Sequence, residues 1–144
     1  MSFRAVSSDC REVKIFTGKR MFSTDAQMSF DSEYSGISSV EYFLGNLAGS
    51  ILLAVLEYAR HRKVAIEEIE GKLDASLANP LTLLHVKGCD QPPVLGNIRM
   101  TVYLYADLDN EELLRLCSEA LSLSPIYNTL IKGTHIDVTF KPLT

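Results

Sequence analysis

The chain has few of the side chains that build metal sites and disulfide frameworks, with 3 cysteines and 3 histidines in 144 residues. The cysteines are Cys10, Cys89 and Cys117. Their odd count and irregular spacing exclude a disulfide framework and a CxxC metal signature. The nearest ligand-like grouping is His85, Cys89 and Asp90, which lacks a fourth partner at a recognised spacing. We therefore expect neither a bound metal nor another cofactor.

An excess of positive charge is also missing, because 14 basic residues face 18 acidic ones and the net charge is −4. Such a chain has no overall field to hold nucleic acid. Its one basic cluster, Arg60 to Lys63, follows a helical pattern, and a helix dipole favours cations at that end. The N-terminal residues contain no continuous apolar run of the kind found in signal peptides, so we expect a cytoplasmic protein. With 47% apolar and 22% charged residues, the sequence predicts a single globular domain spanning 1–144.

No charged residue occurs between Glu41 and Glu57, and this stretch contains no proline. The pattern predicts a helix from Ser39 to Arg62 with apolar groups on nearly every side, which should therefore be buried all round. A membrane span is not expected, because the uncharged run is shorter than the roughly 20 residues needed and is interrupted by Gly45, Asn46 and Gly49.

A narrow polar stripe follows one side of this predicted helix. Asn46, Ser50 and Glu57 fall within roughly 40° of each other on a helical wheel. A serine inside a helix can simply donate to the carbonyl one turn back. The surroundings of the stripe decide between that structural role and a functional one. Glycines near Ser50 indicate a close backbone neighbour, which could be a strand or a second copy of the helix.

The residues before this helix alternate as strands do. The pattern between Phe3 and Phe30 predicts a three-stranded antiparallel meander, with a hairpin through the letters TGKR and a second break that separates MFS from AQMSF. Ser38 or Ser39 is the candidate N-cap of the helix, and Glu41 lies in its first turn.

The residues after the helix predict two long strands and a short helical turn. The segment from Val64 to Leu77 reads as a strand with a bulge near Gly71. Asn79 is expected to cap a short helix that begins at Pro80. Strict alternation from Leu95 to Leu108 predicts the second strand.

Two helical segments and a last strand complete the chain. Asp109 is expected to cap a helix that must end before Pro125, because proline removes a backbone donor and clashes with the preceding turn. A short helix from Pro125 to Ile131 should end at Gly133. The letters THIDVTF predict the final strand. The order is three strands, helix, two strands, broken helix and strand, which predicts an α+β fold with antiparallel sheets.

Two segments resemble the OsmC/Ohr family, named for osmotically inducible protein C and organic hydroperoxide resistance protein. The segment SGISSVEYFLGNLAGS resembles the family's glycine-led loop and Leu/Ala-rich helix ending in Ala-Gly-Cys. The segment LSLSPIYNTL resembles its Cys-Pro-Val-x-x-Thr-Leu motif. Together with the order of strands and helices, the resemblance covers essentially the whole chain. It implies an intertwined homodimer whose central helices lie between curved sheets.

The resemblance also implies a site at the subunit interface, where two cysteines reduce organic hydroperoxides. By motif position these cysteines correspond to Ser50 and Ser124. The family's carboxylate corresponds to Glu41, and Arg20 in the first hairpin is the candidate for the arginine that polarises the thiolate. Peroxide reduction needs a thiolate that can become a sulfenic acid, and a serine hydroxyl has neither the pKa nor the redox chemistry of sulfur.

Three hypotheses follow. The first is a homodimer without peroxidase activity that binds a small hydrophobic ligand, and its expected lining is Phe43, Asn46, Leu47, Ala54, Ile126 and Tyr127. The second is an organic hydroperoxide reductase that uses Cys117 or Cys89 instead. The third is a dimeric scaffold whose cleft is filled. A serine hydrolase is not expected, since no nucleophile-elbow motif occurs.

Overall fold

The computed structural model describes residues 1–144, which form two compact units, Met1–Asn46 and Leu47–Thr144. The first unit contains strands β1 (Arg4–Val6), β2 (Val13–Phe16) and β3 (Met21–Thr24) and the start of helix α1 (Ser39–His61). The second contains the rest of α1 and all later elements.

The N-terminal strands form an antiparallel sheet in the order β1-β2-β3, which confirms the predicted meander. The TGKR hairpin is also confirmed, because the Thr17 N–H donates to the Arg20 carbonyl at 2.9 Å. The prediction of a strand in AQMSF is wrong, and Arg4–Val6 supplies the third strand instead. The carbonyls of Ala26 and Gln27 are occupied elsewhere, since they accept hydrogen bonds from the Ser39 and Val40 N–H groups.

A capping box begins helix α1. The Ser38 hydroxyl accepts a hydrogen bond from the Glu41 N–H at 3.2 Å, and the Glu41 carboxylate accepts one from the Ser38 N–H at 2.7 Å. This reciprocal pair satisfies two of the backbone donors that a helix start leaves unpaired. Of the two candidate N-caps, Ser38 is therefore the one that caps the helix, and it is almost completely buried.

The C-terminal unit contains the second sheet and the remaining helices. Its elements are β4 (Ile66–Ala78), α2 (Pro80–Leu83), β5 (Val94–Ala106), α3 (Asn110–Leu121), α4 (Pro125–Leu130) and β6 (Ile136–Pro142). The order of the sheet is β4-β5-β6. Strands β4 and β5 pair antiparallel as predicted, but β6 runs parallel to β5. The expectation of purely antiparallel sheets is thus corrected, because α3 and α4 provide the long crossover that parallel neighbours require.

The core of this unit lies between α1, α3 and the sheet. Its buried residues are Val55, Ala59, Leu104, Ala106, Leu113, Leu116, Cys117 and Ala120. Helix α3 begins as predicted, since the Asp109 carboxylate accepts a hydrogen bond from the Glu111 N–H. It ends at Leu121, before Pro125, and the expected break is confirmed.

Helix α1 is covered along one face only, which corrects the expectation of burial on all sides. Leu47, Ile51, Ala54, Val55 and Ala59 form the buried face. Phe43 and Leu53 stay 41% and 56% exposed. By length and composition α1 could cross a membrane, but the core helix of a soluble protein passes the same test.

Gly71 explains a second correction. It pairs in regular register with Val102, and the irregularities of β4 lie at Ile66/Glu68 and Asp74/Ser76, so the bulge expected near Gly71 is absent. A Cβ at Gly71 would collide with the Met100 side chain and press on Leu52. The glycine is thus explained by core packing rather than by a bulge.

Asn79 does precede the short helix α2, but its side chain makes no capping hydrogen bond. The residue has a left-handed backbone with φ of 55°, and its amide donates to the Pro92 carbonyl at 2.9 Å. Asn79 therefore ties α2 to the residues before β5, which corrects the predicted capping role.

Candidate functional site

Ser50 is a half-buried residue in the middle of helix α1. Its hydroxyl donates a 2.8 Å hydrogen bond to the Leu47 carbonyl, three residues earlier on the same helix. This is the local backbone bond that a helical serine makes when no other acceptor competes. The Ser50 hydroxyl, in the middle of the polar stripe, therefore has its hydrogen-bond acceptor within the helix itself.

Ser124 is completely buried and is the N-cap of helix α4. Its hydroxyl oxygen accepts a hydrogen bond from the Tyr127 N–H at 3.3 Å. Pro125 occupies the first helical position, where its missing N–H costs nothing. The Ser-Pro sequence is thus a helix start, and its hydroxyl is committed to the backbone.

Glu41 is an exposed member of the capping box described above. Hydrogen bonds from the Ser38 backbone and side chain hold the pKa of its carboxyl below the usual value. A carboxylate that is kept ionised by local backbone donors stabilises a helix N-terminus. The capping role accounts for the ionised state of the Glu41 carboxylate.

Arg20 lies in the exposed turn between β2 and β3. Its backbone carbonyl accepts hydrogen bonds from the N–H and the hydroxyl of Thr17. Its guanidinium makes no salt bridge. No contact within the N-terminal unit assigns this side chain a catalytic task.

The six residues predicted to line a ligand site differ widely in exposure. Leu47 is completely buried and Ala54 nearly so, while Phe43 and Ile126 are 41% and 39% exposed. Asn46 is exposed and Tyr127 is half-buried. Within the C-terminal unit, Ala54 lines a groove.

That groove has a volume of about 310 Å³ and lies beside the second half of α1. Its lining residues are Ala54, Glu57, Tyr58, His61 and Leu123. Leu123 directly precedes Ser124, and Ala54 lies one turn after Ser50. Sequence reasoning missed Tyr58, His61 and Leu123 as lining residues. The helical spacing of Ala54, Tyr58 and His61 was the available signal, because residues four and three apart share one face.

The cysteines occupy three different environments. Cys117 is completely buried in the core, and burial raises the pKa of its thiol to about 12. A buried neutral thiol is a poor nucleophile. Cys10 is exposed. Cys89 is half-buried and lines a cavity of about 410 Å³ together with residues of α2, among them Pro80 and Leu81. No three His, Cys, Asp or Glu side chains lie close enough to hold a metal ion.

A sequence profile described as OsmC-like protein matches residues 31–139. The chain belongs to this OsmC-like family. The matched range includes α1 and most of the C-terminal unit, with both serines of the two motifs. No curated protein matches the chain.

Solved structures confirm the OsmC/Ohr-like fold. An OsmC-like protein from Mycoplasma pneumoniae is similar with a TM-score of 0.75 and 15% identity, over 99% of this chain and 96% of that one. The organic hydroperoxide resistance protein OhrB of Bacillus subtilis is similar with a TM-score of 0.66 and 16% identity, over 97% of this chain and 96% of that one. An organic hydroperoxide resistance protein OsmC from Legionella pneumophila has a TM-score of 0.64 and 16% identity, over 99% of this chain and 96% of that one. At these identities the similarity establishes the α+β fold alone.

Proposed function

We propose that this OsmC-like protein is a cytoplasmic homodimer that binds a small hydrophobic molecule at its subunit interface and does not reduce organic hydroperoxides through Ser50 and Ser124. The observation that carries the proposal is the state of these two hydroxyls. Each makes a backbone hydrogen bond, at Leu47 and Tyr127 respectively. Neither oxygen can replace sulfur in the reduction of an organic hydroperoxide.

The chemistry supports the absence of turnover at these serines. A peroxidase thiolate attacks one peroxide oxygen, the O–O bond breaks, and the products are an alcohol and a sulfenic acid. A second thiol then condenses with the sulfenic acid and releases water. A serine cannot form the sulfenic acid, and the buried Cys117 is held in the neutral thiol form.

The apolar face of α1 supports the homodimer. Leu53 on this helix and Leu123 before α4 are 56% and 59% exposed, although leucine is usually buried. The groove of about 310 Å³ lies in the same region, since Leu123 and Ala54 line it. A partner subunit that covers this surface would stabilise the dimer and enclose the groove as an apolar site.

A peroxidase assay tests the first half of the proposal. The purified protein, with cumene hydroperoxide and dithiothreitol, should consume peroxide no faster than buffer. The matched variant is Ser50→Cys with Ser124→Cys, which restores sulfur at both motif positions and should acquire measurable turnover. Turnover by the unmodified protein at rates typical of thiol peroxidases would overturn the proposal.

Sedimentation and ligand binding test the second half. Leu53→Asp should convert the dimer to monomers, whereas Leu81→Asp, at a similarly exposed leucine on α2, should leave it intact. An apolar fluorophore such as 1-anilinonaphthalene-8-sulfonate should bind the dimer, and Ala54→Phe, which fills the groove, should abolish that binding. An intact dimer that takes up no fluorophore would instead support a scaffold with a filled cleft.

A second candidate function is organic hydroperoxide reduction by Cys89. The observation that favours it is the half-buried thiol beside the partly apolar cavity at α2, which could admit a hydrophobic peroxide. Peroxide treatment should then give a sulfenic acid at Cys89 that dimedone traps. Cys89→Ser should abolish turnover, while Cys10→Ser should preserve it. Absence of a dimedone adduct at Cys89 would dispose of this candidate.

A further inference from the structure

The N-terminal sheet carries a patch of uncompensated positive charge. No Asp or Glu occurs between Val13 and Thr24, although acidic residues outnumber basic ones in the chain. We define the basic hairpin patch as Arg4, Lys14, Phe16, Lys19, Arg20 and Met21. None of its four cations takes part in a salt bridge with another side chain of the chain. The patch is therefore free to interact with an external anion.

Strand register places these residues on one side of the sheet. Arg4, Phe16 and Met21 lie opposite one another across the three strands. Lys14 is two residues from Phe16 and so points to the same side. Lys19 and Arg20 form the adjoining turn. The opposite side of the sheet faces the start of α1, where the Phe22 and Tyr42 rings lie 5.1 Å apart.

Exposed apolar side chains lie among these cations. Phe16 is 38% and Met21 50% exposed, and the two residues flank the hairpin turn. The Arg4 guanidinium lies 5.9 Å from the centre of the Phe16 ring. An apolar row with basic residues at its edge is the arrangement by which peripheral proteins place side chains in the headgroup region of a bilayer. Positive charge then attracts the anionic lipids.

We propose that the basic hairpin patch docks on an anionic lipid surface. Charge complementarity identifies the occupant, because four cations that form no salt bridge match a layer of lipid phosphates. Phe16 and Met21 favour lipid over nucleic acid, since Met21 has no planar ring on which a base could stack. This proposal is independent of the ligand and dimer proposed above.

Vesicle sedimentation tests the proposal with the full chain. Vesicles of phosphatidylcholine mixed with phosphatidylglycerol should pellet the protein, and vesicles of phosphatidylcholine alone should not. Each basic residue near the surface contributes about fivefold in partitioning, so Lys14→Gln with Lys19→Gln should weaken binding by about 25-fold. Added salt should weaken binding as well, because it screens the charges.

The matched control is Lys72→Gln with Lys132→Gln, which removes the same charge from exposed positions of the C-terminal unit. It should bind nearly as tightly as the unmodified protein. Met21→Ser, at a half-exposed position, should reduce binding to the mixed vesicles without lowering the melting temperature by more than a few degrees. Equal losses in the two lysine double variants, no preference for anionic vesicles, or tighter binding to duplex DNA than to vesicles would each overturn the proposal.

Discussion

The Ser124 hydroxyl oxygen and the Tyr127 backbone N–H lie 3.3 Å apart, and this hydrogen bond caps helix α4 inside the protein. Ser124 is completely buried, so water cannot replace the bond if the hydroxyl is removed. The sequence resemblance predicts the position of a reactive thiol at Ser124, and the structure has a buried helix cap there.

Ser124→Ala should therefore lower the free energy of unfolding by about 1–2 kcal/mol, because it removes an N-cap and leaves a backbone donor unpaired. Urea denaturation followed by circular dichroism measures the loss. Ser122→Ala is the control, since that exposed hydroxyl donates to the Glu119 carbonyl and can be replaced by water. Equal losses in the two variants would contradict the assigned capping role.

Ser50→Ala should change the free energy of unfolding by less than about 0.5 kcal/mol. The hydroxyl donates only to the Leu47 carbonyl of its own helix, and alanine has the better helix propensity. The same urea experiment compares this variant with Ser124→Ala. A loss as large as that of Ser124→Ala would show that the Ser50 hydroxyl has a further buried partner.

Cys117 should make the protein less stable at high pH. Burial raises the pKa of its thiol from 9.0 to about 12, so between these values the unfolded chain releases a proton that the folded chain retains. The stabilisation is fully present below pH 9 and is lost as the pH rises through 12. Denaturation midpoints measured from pH 8 upward, over about 2–3 pH units in which unfolding stays reversible, should fall.

The Cys117→Ala variant should flatten this high-pH decline. Tyr34 contributes in the same direction, because its hydrogen bond to Asp25 raises its pKa to about 12, and this part of the decline should persist. Native Cys117 should also resist 5,5′-dithiobis(2-nitrobenzoate) until the protein unfolds. Rapid modification of Cys117 in the folded protein would contradict its assignment as a buried thiol.

Glu41→Gln should preserve the structure of the capping box but remove part of the pH dependence on the acid side. Glutamine can also accept a hydrogen bond from the Ser38 N–H. The pKa of the Glu41 carboxyl is lowered in the folded protein. Its carboxylate therefore stabilises the fold at pH values above the pKa of the unfolded chain, and this stabilisation is lost as the pH falls through the folded-state pKa. Thermal denaturation between pH 7 and pH 3, an interval of about 4 units, should show the smaller slope in the variant. An unchanged slope would contradict the capping role.

The sequence predicted the fold where patterns were local and strong. The charge-free run gave α1, the alternation gave β4 and β5, and Pro125 marked the break between the last helices. The parallel pairing of β6 could not be predicted, because alternation reports which side chains are buried and says nothing about strand direction. Gly71 was interpreted as a bulge because its packing partner Met100 is 29 residues away in the sequence.

The candidate site was predicted less completely than the fold. Motif positions identified Ser50 and Ser124, but their hydrogen bonds to Leu47 and Tyr127 required the backbone geometry. The groove beside Ala54 was only partly predicted, because Leu123 comes from a segment far from α1 in the sequence. The exposure of one side of α1 could not be predicted either. A helix that is apolar on all sides has the same sequence pattern whether its own chain or a second chain buries it.

The burial of Cys117 has a practical consequence for spectroscopy. The chain has 3 cysteines, and with Cys117 enclosed in the core the remaining thiols are Cys10 in the N-terminal unit and Cys89 in the C-terminal unit. A nitroxide reagent should thus attach once to each unit of the unmodified chain. Pulsed electron resonance on that labelled protein would measure distances between Cys10 and Cys89 within a chain and, in the proposed dimer, between chains, with no engineered cysteine.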